Sequence, residues 1–321
     1  MPHLKFRRCL AALVALAAWI GTAPIHAEDI DIFSASGVST DLPNVILLLD
    51  NSANWSSDIP VPNCYYKDNG VVTTEGPKAS NPNKEQGKKV AIQKCALYNV
   101  LDSLPVKAAG GPDADGMFNI AIMLLNESPA SNAGGYPRKA FTTLTTNNKA
   151  ALKSVIKNLQ ISDDKGNNAS FAKALYEAYL YYAGDTPYKG TAGTKWDAAA
   201  VSGTRYVSPS ASSCGKNYVI LIANGSPESA ENNDALALLA AKGGNTTQFV
   251  YPTGYVTNPD QSNWSDEMAR FLAGQDVSGK DGVQNITTYT ISIIGASSDG
   301  LYPNFMAGVA QRGGGDAFKA S

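Results

Sequence analysis

The sequence predicts an α/β domain: a doubly wound, mostly parallel sheet with flanking helices and two long loop insertions. Three observations predict it. Short apolar runs that read as buried strands alternate with amphipathic helical segments. The runs Val45–Leu49 and Asn217–Ala223 are apolar without alternation, as strands covered on both faces are. Both stop abruptly at polar residues, Asp50-Asn51-Ser52-Ala53-Asn54 after the first and Asn224-Gly225 after the second.

The elements follow in order. Val45–Leu49 is the first strand. Residues 55–87 are rich in Pro, Asn, Gly and Lys and form the first insertion. Residues 88–104 are a helix, with Val90, Leu97, Leu101 and Leu104 at helical spacing. Residues 118–125 are a second apolar strand, and the more alternating 139–144 suits a sheet edge. Helices are expected over 148–159 and over 170–182, the latter carrying Phe171, Tyr176, Tyr179 and Tyr182. The Gly/Ser/Thr/Pro-rich 184–213 is the second insertion. After strand 217–223 come helices over 233–242 and 264–272, a strand over 286–294, a helix over 305–311, and a short strand after Gly313-Gly314-Gly315. No internal repeat is evident.

The amino terminus reads as a targeting segment. Lys5, Arg7 and Arg8 precede an apolar stretch, Cys9 to Ile20, that is too short to span a bilayer comfortably. Ala27 ends a cleavage-like Ile25-His26-Ala27, so residues 28–321 are the expected mature, exported domain, with no transmembrane segment. Removing three positive charges and no negative ones takes the net charge from −2 to −5. A mildly acidic chain without a basic cluster is a poor nucleic-acid binder. Both histidines, His3 and His26, leave with the leader. That removes His-based nucleophilic catalysis and His-ligated zinc or copper. A metal site must then be built from oxygens, which suits Mg²⁺, Mn²⁺ or Ca²⁺. Of Cys64, Cys95 and Cys214, two are expected to form a disulfide in an oxidising compartment. Cys64 in a loop and Cys95 on a helix are the favoured pair, although spacing does not settle connectivity.

Ligands of open α/β sheets sit beyond the carboxyl ends of the strands. Asp50, Ser52 and Asn54 emerge there together. Their spacing resembles the metal-ion-dependent adhesion motif of von Willebrand factor A domains, Asp-x-Ser-x-Ser, with Asn54 in place of the last Ser. The resemblance implies that Asn224 lies alongside, where the family usually has Thr-Asp-Gly and this chain has Ala223-Asn224-Gly225. It also implies a loop Thr, whose place falls on Ala169, with Ser170 serving if the loop shifts by one residue. Replacing one carboxylate by an amide weakens attraction for a divalent ion by roughly 4 kcal/mol at a surface-like dielectric. The expectation is a weak divalent-cation site of Asp50, Ser52, Asn54, Asn224 and Ser170. The alternative is that Asp50 and Ser52 cap the turn and Asn224-Gly225 is a tight turn. Trp55, next to the motif, is either a lid or a partner contact. Asp113-Ala114-Asp115-Gly116 and the acidic 163–168 lack the bidentate Glu of a calcium loop and read as turns.

Several segments narrow the resemblance. They are Asp31-Ile32-Phe33, the stretch from Pro43 to Trp55, Ala174–Tyr179, Asn217–Ile222, Trp264–Leu272, Thr288–Ile291 and Ala310–Gly315. In this order they resemble the amino-terminal domain of type IV pilus tip-associated proteins of the PilY/PilC family. The resemblance implies a non-enzymatic binding or adhesion module at a pilus tip or cell surface. Minor pilins or other pilus components, and a host or surface receptor, are its implied partners. In that family a carboxyl-terminal β-propeller follows, and this chain stops at Ser321, where it would begin. Two rival readings are a structural scaffold with an empty site and an exported hydrolase using paired carboxylates, for which no acidic pair stands out.

Overall fold

Along the first strand, β1 (Asn44–Leu49), side chains alternate between two apolar layers. Ile46 and Leu48 join one buried cluster, and Leu47 and Leu49 the other. Strand side chains alternate with a period of two, so a run apolar throughout requires cover on both faces. The computed structural model describes residues 42–59, 65–68, 71–74, 87–106, 117–125, 134–210, 215–294 and 300–320. Residues 41–321 form one compact unit; residues 1–40, with the expected leader, lie outside the described residues.

The further strands are β2 (Tyr65–Asp68), β3 (Val71–Thr74), β4 (Asn119–Leu124), β5 (Tyr136–Thr143), β6 (Val201–Ser202), β7 (Arg205–Tyr206), β8 (Asn217–Ala223), β9 (Ile286–Ile293) and β10 (Gly314–Ala320). The main sheet has the order β10-β9-β8-β1-β4-β5. All its neighbours pair in parallel except β5, which runs antiparallel to β4 at one edge. Leu47 lies opposite Ile122 on one side and Ile220 on the other, so β1 is central and β4 and β8 flank it.

The helices are α1 (Lys89–Ser103), α2 (Thr146–Asn158), the single turn α3 (Ile161–Asp164), α4 (Phe171–Ala183), α5 (Asn232–Ala241), the single turn α6 (Asn258–Gln261), α7 (Ser265–Gly274) and α8 (Tyr302–Arg312). Val90, Leu97 and Leu101 of α1 and Leu152 and Ile156 of α2 cover one face. Leu175 of α4, Met268 of α7 and Phe305 of α8 help to cover the other. This is the doubly wound arrangement expected. The long helices end within three residues of their expected bounds; α8 starts early, at Tyr302, because Pro303 suits a first helical turn. The turns α3 and α6 have too few residues for a readable period.

Three central strands each begin with asparagine, and these residues form a chain across the amino edge of the sheet. Thr143 Oγ1 donates to Asn119 Oδ1 (2.8 Å), Asn119 Nδ2 to Asn44 Oδ1 (2.8 Å), and Asn44 Nδ2 to Asn217 Oδ1 (2.9 Å). Ser210 Oγ donates to the same Asn217 oxygen (2.8 Å).

The two insertions take different places. The first is pinched closed at its base by Ile59 N–H to Gly87 O (2.8 Å) and Lys89 N–H to Ser57 O (3.1 Å). Its hairpin β2–β3 lies on α1, with Tyr66 and Tyr98 ring centroids 4.3 Å apart. The second leaves and rejoins the fold at the amino edge, where Ser208 Oγ donates to Tyr182 O and Ser210 reaches Asn217. Between these points it runs along β5: Ala140 N–H donates to Asp197 Oδ2 (3.0 Å) and Asp197 N–H to Pro137 O (2.8 Å). It shields an edge strand whose polar backbone would otherwise be open. Its tip reaches the carboxyl edge, where Lys195 meets Asp163 O and the Asp164 carboxylate (3.9 Å). Buried Glu177 of α4 clamps its start, accepting from Tyr188 N–H (3.0 Å), Lys189 N–H (2.8 Å) and Tyr206 O–H (2.6 Å).

Candidate functional site

The two strand ends that the sequence singles out are neighbours, because β1 and β8 pair side by side. Asp50 N–H continues their ladder by donating to Ile222 O (2.9 Å). The Asp50 side chain is fully buried. Its Oδ1 accepts from Ser52 N–H (2.9 Å) and its Oδ2 from Asn224 N–H (2.8 Å). Asn224 Nδ2 donates back to Asp50 O. Burial pushes the Asp50 carboxyl above its usual range, against the Ser52 and Asn224 hydrogen bonds and the Lys89 charge.

A third loop, residues 165–170, is drawn in by Asn51. Its Nδ2 donates to Asp164 O (2.6 Å), its carbonyl accepts from Gly166 N–H (2.7 Å), and its Oδ1 accepts from Leu125 N–H (3.0 Å). Glu228 then ties the third loop to the second. Its N–H donates to Ala169 O (3.0 Å), and its carboxylate accepts from Ser170 Oγ. Three loops therefore meet at the carboxyl edge, sewn by Asp50, Asn51, Asn224 and Glu228.

The remaining expected residues have distinct fates. Asn54 is exposed, and its amide lies over Gly225 so closely that a Cβ there would come within 2.2 Å of Nδ2. Ser52 is buried in the turn, with its carbonyl accepting from Trp55 N–H (3.0 Å). Trp55 is wholly buried in the cluster under α1, and its Nε1 donates to Gln93 Oε1. That corrects both the lid and the partner-contact readings: a side chain without exposed surface touches no partner. Cys95 is disulfide-bonded. Cys64, its expected partner, lies outside the described residues.

The residue that sequence reading misses is Lys89, the first residue of α1. It is 4% exposed, and its ammonium donates to Asn224 O (2.7 Å). The Tyr302 ring lies 5.8 Å from the same nitrogen. Its only signal in sequence is a lysine opening a helix start, which normally favours acids. Glu228, four residues beyond Asn224, and Asn51, inside the motif, carry no mark of their roles either.

The donor set does not suit a divalent cation. Asp50 is the one carboxylate of the expected five residues, and both its oxygens already accept backbone N–H groups. The Ser170 hydroxyl is turned to Glu228. The positive charge beside the turn is an ammonium. The buried Asn224 Oδ1 has no hydrogen-bond partner among the described residues. Among the described residues no group of three or more His, Cys, Asp or Glu side chains gathers as metal ligands would. The hydrogen bonds of Asp50, Ser52, Asn224 and Ser170 are those of a capped turn, and Asn54 stands exposed beside it.

No protein-family model matches the chain, and no curated protein does. Solved structures do match. The proximal thread matrix protein 1 of the mussel byssus, described with a zinc-occupied MIDAS motif, is 11% identical over 87% of this chain, with TM-score 0.39. The pilus adhesin SpaC of Lactobacillus rhamnosus GG is 9% identical over 87% of this chain, with TM-score 0.42. The von Willebrand factor domain of the type V pili tip protein Mfa5 of Porphyromonas gingivalis is 10% identical over 88% of this chain and 90% of that one, with TM-score 0.42. The chain spans 41% of the first of these and 28% of the second.

Proposed function

We propose that this chain is an exported binding module of the von Willebrand A type that docks partners at the carboxyl edge of its sheet. Following the sequence resemblance, it works with type IV pilus components, minor pilins among them, in pilus assembly and attachment to a surface receptor. The observation that carries the docking face is the meeting of three hydrogen-bonded loops at the point where the sheet order reverses between β1 and β8. Ligand sites of open α/β sheets form at such points. No helix among the described residues is long and apolar enough to cross a membrane.

The test uses exposed rim residues, since the buried ones would disturb the fold. Ala53→Arg and Asn54→Arg place charge on the face, and Lys216→Glu changes an exposed site at the opposite edge. Capture of minor pilins, and surface attachment, should fall with the first two and persist with the third. Equal capture by all three proteins would overturn the face.

The burial of Asp50 favours a second reading, a scaffold in which the motif only staples loops. In that case the rim variants retain capture while stability alone responds to changes at Asp50. Deleting the 184–213 insertion does not separate the two readings, because its loss would bare the edge of β5.

A further inference from the structure

The Asp50 carboxylate is buried among these loops, and Asn224 links it to the buried ammonium of Lys89. Lys89 comes from α1, on the far side of the first insertion, and is brought in by the pinched base that joins Lys89 N–H to Ser57 O (3.1 Å). Its ammonium is held by the Asn224 carbonyl at 2.7 Å and by the Tyr302 ring, whose hydroxyl is itself fixed on Ile293 O. Asn224 thus touches both charges: its N–H is on the Asp50 carboxylate and its carbonyl is on the Lys89 ammonium. A buried ammonium needs polar or charged partners to offset its lost hydration.

We propose that Lys89 supplies the positive charge of this site from within the chain, so that the docking face works without a divalent ion. The pair Asp50 and Lys89 sums to zero. A divalent ion added there would meet an ammonium beside the carboxylate, and would have to displace the backbone donors that Asp50 already holds. The inference takes only its location from the proposed docking face.

The experiment is calorimetric titration of the purified chain with Mn²⁺, beside melting curves in EDTA and in millimolar Mn²⁺. The wild-type chain should give no saturable heat and the same melting temperature in both solutions. Lys89→Gln keeps a donor for the Asn224 carbonyl but removes the charge. It should melt lower, and Mn²⁺ should raise its melting temperature where it leaves the wild type and Lys89→Arg unmoved. Saturable Mn²⁺ binding by the wild type that is lost in Asp50→Asn would overturn the proposal. So would a Lys89→Gln chain with unaltered melting and no response to Mn²⁺. The wild-type titration decides alone if the variant does not fold. Partner capture by the Ala53 and Asn54 variants reads the face and not the cation, so either proposal can fail without the other.

Discussion

Asp50 and Asn224 stand 174 positions apart in the chain and exchange two hydrogen bonds, Asn224 N–H to Asp50 Oδ2 (2.8 Å) and Asn224 Nδ2–H to Asp50 O. The acid of the motif is thereby turned inward. It organises the backbone of two loops before it can offer anything to a ligand. Asp50→Ala should therefore lower stability as well as any binding, since Ser52 N–H and Asn224 N–H lose their shared acceptor. The expected cost is about 2–4 kcal/mol. Urea unfolding followed by circular dichroism checks it. A midpoint equal to that of wild type would mean that the carboxylate is not the staple described.

Trp55 belongs to the core, so its substitution should be read in stability first. Trp55→Ala should cost about 3–5 kcal/mol, the range for emptying a large buried site. Trp55→Phe should cost less while leaving Gln93 Oε1 without its indole donor. If Trp55→Phe folds yet abolishes partner capture, burial does not describe this side chain in the bound state.

The layers of this fold were legible because periodicity reports burial. The run from Asn44 to Leu49 could be apolar only between two covered faces, and the helical spacing of Val90, Leu97 and Leu101 marked α1. The site was half legible. Asp50, Ser52 and Asn224 stand at strand ends, where local pattern and topology combine. Lys89 was hidden because its role depends on where the 55–87 insertion closes. Glu228 was hidden because its partner, Ser170, lies 58 positions away. Trp55 was misread for the same reason: adjacency in sequence to an exposed turn says nothing of the direction in which a 3₁₀ turn, Ala53–Ser56, aims its third residue.

The buried acids give the protein a pH dependence of definite sign. Burial pushes Glu177 and Glu231 up to about 7 and Asp266 up to about 6. A carboxyl whose folded pKa is raised stabilises the fold below its unfolded pKa, near 4.5 for Glu, and that stability is lost as pH rises through the folded value. Asp185 and Asp197, held low, act oppositely and only in more acid solution. Stability should therefore fall between about pH 4 and pH 7 and level off above, by up to about 1.4 kcal/mol per pH unit for each group. Urea midpoints across that window check the sign. Glu177→Gln should flatten the slope, because Tyr206 O–H and the Tyr188 and Lys189 amides then meet a side chain that does not titrate. A midpoint that rises steadily toward pH 8 would contradict the assignment.

The disulfide at Cys95 should join Cys64. Tyr65, the next residue, presents its carbonyl to Asn99 Nδ2 (2.9 Å), one helical turn beyond Cys95, which brings the chain beside Cys64 to the right part of α1. Peptide mapping without reduction should recover the two together and leave Cys214 alkylatable. Reduction should cost about 2–5 kcal/mol, the range for small disulfide-bonded domains. Recovery of Cys95 linked to Cys214 would refute the pairing.

The asparagine chain at the amino edge offers the cleanest separation of fold from face. Asn44 is wholly buried, donating to Asn217 and accepting from Asn119. Asn44→Ala removes a donor and an acceptor at once and leaves the Asn119 amide facing an apolar methyl group. The expected cost is about 1–3 kcal/mol. Because Ser210 also binds Asn217 Oδ1, the loss should be shared along the chain. Asn44→Ala combined with Asn217→Ala should then cost less than the sum of the two single changes. These residues sit at the opposite end of the strands from Asp50. A destabilised but folded Asn44→Ala protein should still capture its partner at temperatures well below its melting point. Loss of capture in that protein, with its melting curve still cooperative, would place the binding surface at the amino edge and set aside the carboxyl-edge face.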